Sequence, residues 1–270
     1  MSDHISFRRD GAIAIVELNR PEKRNALSEQ LLGELTETLN RLDGGTRVVV
    51  LRAAPGSKVF SAGHDIDELP LDGSDPLTDS SHFERSLAVL RNFPLPIIAQ
   101  VSGGVWGGAV EFVLSCDLVL ADPTASFAVT PAKLGLPYNT AGIAFFLSRL
   151  PAAFVKELFL TAQALDAETA LRHGLVSRLL PVSELARETL ELAHWMAGLS
   201  PRALHLFKRQ IAVLSSGTSS GVDPKERETI ETLRGEMYAE GGELSQGVAA
   251  FRNKRSADFK PIDQADSGSR

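Results

Sequence analysis

The 270-residue chain is poor in cysteine and in large aromatic side chains, with one Cys, two Trp and two Tyr. A single cysteine excludes a disulfide framework within the chain, which suits a reducing compartment. Cys116 sits inside an apolar run and reads as a buried, inert thiol. Basic excess is also lacking. The formal net charge is -6, so no general field draws nucleic acid. A local basic patch is present at the C-terminus, at Arg252, Lys254, Arg255 and Lys260. No uncharged apolar run reaches the ~18 residues of a membrane-crossing helix. Met1-Ser2-Asp3-His4 lacks the basic and then apolar regions of a signal peptide. The expectation is a cytoplasmic protein with neither a membrane nor a nucleic acid as partner. What is present is a 43% apolar composition, enough to fill the core of one large domain, with or without a smaller appendage.

Strand and helix patterns alternate up to about residue 130, which predicts α/β layering. Ala12 to Leu18, Arg47 to Ala53, Ile97 to Val101 and Leu118 to Ala121 read as strands. The unbroken Val48-Val49-Val50-Leu51 run implies cover on both faces. Ser28 reads as an N-cap before Leu31, Leu35, Leu39 and Leu42, which recur at helical spacing and stop near Gly44-Gly45. His82 to Phe93 and Gly108 to Cys116 read as helices, and Leu69 to Ser81 as a mobile surface loop able to serve as a lid. The remainder is helical in pattern: Phe154 to Ala162, Ala167 to His173, Glu184 to Ala197, Arg202 to Leu214, Pro224 to Tyr238 and Glu243 to Lys254. Gly174 is placed as a helix stop. The expected division is a core over residues 1–200, a helical region over 201–260 and a disordered tail over 261–270.

Two glycine-bearing segments carry the chemistry. Phe60-Ser61-Ala62-Gly63-His64-Asp65-Ile66 follows one strand-like run, and Gly103-Gly104-Val105-Trp106-Gly107-Gly108-Ala109-Val110-Glu111 follows another and opens a helix. The first N–H groups of a helix have no intrahelical partner, and the dipole there favours negative charge. Glycine lets a ligand approach the backbone closely. One N–H from each segment can thus grip a single oxyanion, such as the enolate oxygen of a thioester. The same glycines also serve tight helix–strand packing, and these segments alone leave both readings open. His4, His82, His173, His194 and His205 read as surface or satisfied core groups; His64 differs in the turn that carries it.

Asn19-Arg20-Pro21-Glu22-Lys23-Arg24-Asn25-Ala26-Leu27, the Phe-Ser-Ala-Gly-x-Asp-Ile turn and the Gly-Gly-x-x-Glu helix start resemble the enoyl-CoA hydratase/isomerase (crotonase) superfamily. The similarity runs from Ile13 to about Phe259. It implies a crotonase-like spiral of ββα units, a helical C-terminal trimerisation region, and a homotrimer or dimer of trimers. It further implies an acyl-CoA thioester substrate whose oxygen is held by the His64 and Gly108 N–H groups. By the same resemblance the backbone of Ala62, Gly63, His64, Asp65 and Ile66 follows the pantetheine. Lys254 is the matched CoA contact, with Lys23 and Arg24 as weaker candidates. Lys254 reads equally as a solvated charge at a helix end.

The departures from that pattern narrow the reaction. A hydratase of this superfamily manages water with two glutamates. Glu111 matches the first, but Pro131, in Phe127-Ala128-Val129-Thr130-Pro131, stands at the second. Proline neither gives nor takes a proton through its side chain, which disfavours two-carboxylate hydration. His64 stands where alanine is usual. Together with Thr130-Pro131 and Leu134-Gly135-Leu136-Pro137-Tyr138-Asn139, this combination resembles the methylmalonyl-CoA decarboxylase branch. That resemblance implies decarboxylation of methylmalonyl-CoA or malonyl-CoA without biotin, metal or other cofactor, CoA being part of the substrate. Tyr138 is expected to orient the departing carboxylate, with Thr130 as a second polar contact. Glu111 either protonates the enolate or anchors Tyr138. Enoyl-CoA hydration or isomerisation is the enzymatic alternative, and a scaffold or RNA-binding role is the alternative of another class.

Overall fold

The computed structural model describes residues 4–78, 81–215 and 223–260. Among the described residues ten strands run in chain order: β1 Ile5–Asp10, β2 Ile13–Leu18, β3 Val48–Ala53, β4 Val59–Ser61, β5 Ile97–Val101, β6 Gly104–Trp106, β7 Leu118–Ala121, β8 Ser126–Ala128, β9 Leu165–Asp166 and β10 Arg178–Leu179. The helices are α1 Glu29–Asn40, α2 His82–Asn92, α3 Gly108–Leu114, α4 Thr140–Arg149, α5 Ala152–Thr161, α6 Ala167–Arg172, α7 Leu185–Ala197, α8 Pro201–Ser215, α9 Pro224–Tyr238 and α10 Glu243–Arg252.

A six-stranded sheet has the order β1-β2-β3-β5-β7-β10, and a four-stranded sheet the order β4-β6-β8-β9. Each is mixed: β1 pairs antiparallel with β2, and β9 antiparallel with β8, while the other pairings are parallel. The chain passes from a long strand of the first sheet to a short strand of the second and then to a helix. It does so three times, as β3-β4-α2, β5-β6-α3 and β7-β8-α4. This is the crotonase α/β fold, with helices following at the C-terminal end.

Every residue of β2 is buried, as are the first four of β3. On one face Ala14, Val16, Val49, Leu51, Ile97 and Ala99 join the core with Leu31 and Leu35 of α1 and Leu87 of α2. On the other, Ile13, Ile15, Val48, Val50 and Ile98 pack with Leu185 and Ala193 of α7. Cover on both faces is why these strands read as unbroken apolar runs. Strand β1 has the opposite character. Its FRRD segment is largely exposed, and its ladder runs from Ile5 opposite Leu18 to Asp10 opposite Ile13. An edge strand buries one side at most, so its sequence lacks the apolar signature.

Ser28 caps α1, its side chain accepting from the Leu31 N–H at 3.2 Å. Helix α1 ends at Asn40, before Gly44-Gly45. Gly174, just past α6, has φ +82°, the left-handed conformation that ends helices. Helix α4 has no counterpart among the expected elements. Its N-cap is Asn139, whose side chain accepts from the Gly142 N–H at 2.6 Å. Cys116 is buried, and burial raises its thiol pKa well above the usual range, which disfavours the thiolate that a nucleophile needs.

Of the Leu69 to Ser81 loop, residues 79–80 lie outside the described residues, and Ser81 caps α2. Residues 69–78 carry local turns at Asp72 and Asp75, whose carboxylates accept the Ser74 and Leu77 N–H groups. The expected tail over 261–270 and residues 216–222 also lie outside the described residues. Lys208 ties α8 to the sheet by donating to Asp117 at 2.8 Å and to the Leu95 carbonyl at 3.3 Å. Helix α9 packs on α8 and α10 on α9. Between them lies an apolar groove of about 650 Å³, lined in part by Phe207, Met237, Tyr238, Leu244, Val248 and Phe251. Among the described residues no helix is long and apolar enough to cross a membrane.

Candidate active site

The first glycine segment is a turn tied down from several sides. The Leu27 N–H donates to the Gly63 carbonyl at 2.8 Å, and the Asp65 N–H to the Leu27 carbonyl at 3.4 Å. This bridge uses the groups on either side of His64 and leaves the His64 N–H outside it. Ser61 Oγ donates to the Asn25 carbonyl at 2.7 Å and accepts from the Gly63 N–H at 3.2 Å. Asn25, fully buried, donates to the Phe60 carbonyl at 3.0 Å. Arg20 donates to Asp65 at 2.5 Å. Burial works against the ionised Asp65 carboxyl, but the Arg20 hydrogen bond and charge outweigh it and hold the group below its usual range. The Asn19 to Leu27 motif is therefore the turn's support.

The second segment delivers the start of α3. Gly107 has φ +57° and donates to the Ala128 carbonyl at 2.8 Å. Gly108 is the first residue of α3, so its N–H has no carbonyl of its own helix. The two segments touch. A Cβ on Gly63 (φ +87°) would sit under 3.0 Å from the Trp106 carbonyl oxygen and 3.1 Å from the Gly108 nitrogen. A Cβ on Gly108 would meet the Phe83 ring at 2.9 Å. Only glycine permits this approach at Gly63, on two counts: its backbone angle and the space.

Beside both segments lies a narrow cavity of about 60 Å³. Ala62, His64, Ile66, Gly107, Gly108, Thr130, Pro131 and Tyr138 line it, with Leu69, Leu77, Phe83, Leu134 and Leu136 completing the wall. Among the described residues that line it there is no Asp or Glu. The His64 ring packs edge-on against Phe83, with 5.7 Å between centroids. Burial lowers its pKa, against the opposing pull of Glu68 and Asp65. Its Nδ1 is buried and has no hydrogen-bond partner among the described residues.

Behind the cavity wall Glu111 is fully buried. Arg91 donates to its Oε1 at 2.6 Å, and the Tyr138 hydroxyl donates to its Oε2. Burial first, and then the Glu111 charge, push the Tyr138 pKa well above the ordinary phenol value. The Tyr138 ring is wedged edge-on against Phe146 and Phe159, with centroids at 6.2 and 5.1 Å. It also fills the space over Gly142, where a Cβ would meet the ring at 2.5 Å. Asn139 Nδ2 donates to the Leu77 carbonyl and to Glu84, each at 2.8 Å, so the helix after Tyr138 is joined to the wall and to α2.

Of the expected site residues, Ala62, His64, Ile66, Gly108, Thr130 and Tyr138 meet on this cavity. Gly63 and Asp65 support it from the turn, and Glu111 supports Tyr138 from behind. Lys254 follows α10, is exposed, has φ +50°, and does not line the cavity. Lys23 pairs with Asp67 at 2.8 Å on the exposed side of the turn. Sequence reasoning missed Arg91, and a signal for it existed. Arg91 stands four residues after buried Leu87 on α2, so a charge falls on the apolar stripe, and a charge there requires a buried partner. Among the described residues no group of three or more His, Cys, Asp or Glu side chains is placed to hold a metal ion.

Comparison with known proteins agrees with this architecture. The family model for enoyl-CoA hydratase/isomerase matches residues 8–262. The methylmalonyl-CoA decarboxylase of Escherichia coli K12 is 38% identical over 248 residues, covering 92% of this chain and 94% of its own. A methylmalonyl-CoA decarboxylase solved in complex with 2-nitronate-propionyl-CoA superposes with a TM-score of 0.78 at 36% identity, covering 95% of this chain and 98% of its own. An enoyl-CoA hydratase/carnithine racemase from Magnetospirillum magneticum has a TM-score of 0.84 at 30% identity, with 96% of each chain covered. Backbone shape therefore does not separate a decarboxylase from a hydratase/racemase among these neighbours. With nearly its whole length matched in sequence and in structure, the chain belongs to the enoyl-CoA hydratase/isomerase (crotonase) family.

Proposed function

We propose that the chain decarboxylates methylmalonyl-CoA or malonyl-CoA to propionyl-CoA or acetyl-CoA through an enolate held by the His64 and Gly108 N–H groups. The observation that carries this reading is the cavity wall. Pro131 lines it, no carboxylate among the described residues does, and Glu111 has both oxygens taken by Arg91 and Tyr138. Water addition needs a placed acid and base. Decarboxylation needs no base, because the breaking carbon–carbon bond leaves its electron pair in the enolate as CO2 departs. The enolate carbon then takes a proton to give the product thioester.

The chain's part is to bind, orient and stabilise. Each oxyanion donor is worth about 2.7–4 kcal/mol, or roughly 10²–10³ in rate. The apolar wall of Leu77, Phe83, Leu134 and Leu136 keeps water from the carboxylate, and Thr130 is the polar contact assigned to it. Tyr138 fixes the far wall. The ~300–1,000 Å³ of a typical ligand site far exceeds this cavity, which suits a short acyl head with the CoA outside. Ala62 to Ile66 are assigned to the pantetheine and Lys254 to the CoA phosphates. The helical region over 201–260 is assigned to a homotrimer or dimer of trimers, supported by the apolar groove between α8 and α10.

The test is incubation of purified protein with methylmalonyl-CoA, malonyl-CoA and crotonyl-CoA, reading products by mass. CO2 loss without added biotin or ATP is expected. Hydration of crotonyl-CoA with no CO2 loss from either malonyl-type thioester overturns the proposal.

A further inference from the structure

Arg91 makes three contacts that the reaction above does not use directly. Its guanidinium donates to Glu111 Oε1 at 2.6 Å and to Ser115 Oγ at 3.0 Å, and it lies 3.6 Å over the Phe145 ring. Ser115 Oγ donates in turn to the Glu111 carbonyl at 2.9 Å. The guanidinium is thus held at its edge by α3 and the Ser115 that ends it, and on its face by α4. Glu111 accepts at both oxygens, from Arg91 and from Tyr138. An ionised carboxylate only accepts, and a phenol has one proton to give.

We propose that Arg91 is a positioning residue for the acyl site: as the countercharge to Glu111 it commits the Tyr138 hydroxyl proton to Glu111, so the phenol oxygen meets the cavity as an acceptor. A substrate carboxylate set against that oxygen finds no proton there. It is neither neutralised nor held, which favours its release as CO2 over its retention in the ground state. That catalytic consequence rests on the decarboxylase reading; the placement of the proton does not.

Removing the guanidinium leaves a buried carboxylate without a countercharge, which is costly unless it takes up a proton. A protonated Glu111 donates to the Tyr138 oxygen and turns the phenol proton toward the cavity. The other charged and titratable groups facing this network are Glu84 on α2, Arg149 at the end of α4 and Asp117 beyond it. Arg149 sits 5.3 Å from the Phe145 ring, and the charge of Asp117, which pairs with Lys208 at 2.8 Å, favours its ionised form.

The test compares wild type, Arg91→Met, Arg91→Lys and the double variant Arg91→Met/Glu111→Gln. One measurement is the ratio of kcat to that of wild type on methylmalonyl-CoA from about pH 5.5 to 8, a window in which a buried carboxylate without its cation can be protonated. The other is infrared spectroscopy of a protonated carboxyl band. The Arg91→Met ratio is expected to fall roughly tenfold or more toward acid and to recover toward alkaline pH, with KM unchanged or lowered. Arg91→Lys keeps the charge, so its ratio stays level across the window. A carboxyl band should appear in Arg91→Met at the acid end and vanish in the double variant. If Arg91→Met does not fold, Arg91→Gln, which also lacks the charge, replaces it. A loss of the same proportion at every pH, or no such band, overturns the proposal and leaves Arg91 a structural residue. If the band appears while wild type releases no CO2, the proton placement stands and the decarboxylase reading fails.

Discussion

Gly63→Ala probes the contact between the two glycine segments, and Gly56→Ala is its control. Both glycines have φ +87°. A Cβ on Gly56 meets nothing within 4 Å, whereas one on Gly63 meets the Trp106 carbonyl at under 3.0 Å and the Gly108 nitrogen at 3.1 Å. Each variant bears the backbone strain of a left-handed alanine, roughly 1–2 kcal/mol. Gly63→Ala adds overpacking of about 1–3 kcal/mol, because both obstacles are backbone and cannot rotate away. For a chain of this size each kcal/mol lowers Tm by about 2–4 °C. Gly63→Ala should therefore melt several degrees below Gly56→Ala. Activity should divide more sharply. Relieving the clash parts the His64 turn from the α3 start by on the order of half an ångström to one ångström, and a 1 Å misplacement costs about 10²-fold. We expect kcat on methylmalonyl-CoA to fall about 10²–10³-fold in Gly63→Ala, the worth of one oxyanion donor. Gly56→Ala should keep wild-type kcat. Steady-state kinetics and thermal unfolding of both variants decide it. A Gly63→Ala enzyme that melts lower but keeps kcat within about threefold refutes the oxyanion assignment. One that matches Gly56→Ala in both refutes the packing itself.

Tyr138→Phe leaves Glu111 Oε2 buried without its donor, a loss of about 1–3 kcal/mol. The fold should persist while kcat drops roughly tenfold or more; unchanged kinetics removes Tyr138 from the mechanism. Pro131→Glu restores a carboxylate at the second hydratase position, but Glu111 stays engaged by Arg91 and Tyr138. Crotonyl-CoA hydration should therefore remain absent by mass, and robust hydration would show that Glu111 is free to act. Burial lowers the pKa of both His64 and His205 from the 6.5 of a free imidazole. The unfolded chain then binds protons more readily than the folded one as pH falls through 6.5. Stability contributed by the neutral rings is full above that pH and is lost below it, down through the lowered folded values. Thermal unfolding from about pH 8 to 5 should show Tm falling on the acid side, with a smaller fall in His205→Asn; an identical fall in that variant excludes His205 as a source.

The strands that carry the core were legible because burial on both faces leaves a local mark. The Val48 to Leu51 run is the clearest case. Strand β1 left none, since an edge strand tolerates Arg8, Arg9 and Asp10 and is held by its ladder to β2. The two-residue strands β9 and β10 are defined by their neighbours in the sheets and not by any pattern of their own. Helix α4 was missed although Asn139 and Arg149 mark its ends, because its Thr140 to Leu147 segment is apolar without a clear stripe. The two glycine segments were legible as chemistry. Their convergence on one oxygen was expected too, but the backbone contact of Gly63 with Gly108 was not legible, because it depends on the β4–β6 pairing of segments far apart in sequence.

The residues alone determined what each position is able to do. Glycines at Gly63 and Gly107 allow backbone angles closed to other side chains, and Pro131 removes a proton carrier whatever surrounds it. Those are properties of single residues, and no packing reverses them. Tertiary structure decided how the polar groups are spent. Glu111 in sequence is a carboxylate open to acid, base or anchoring roles. In the fold it is a buried acceptor held by Arg91 and Tyr138. A hydrogen bond depends on which atoms meet in space, and these three residues come from α2, α3 and the segment before α4, which only the packed molecule brings together.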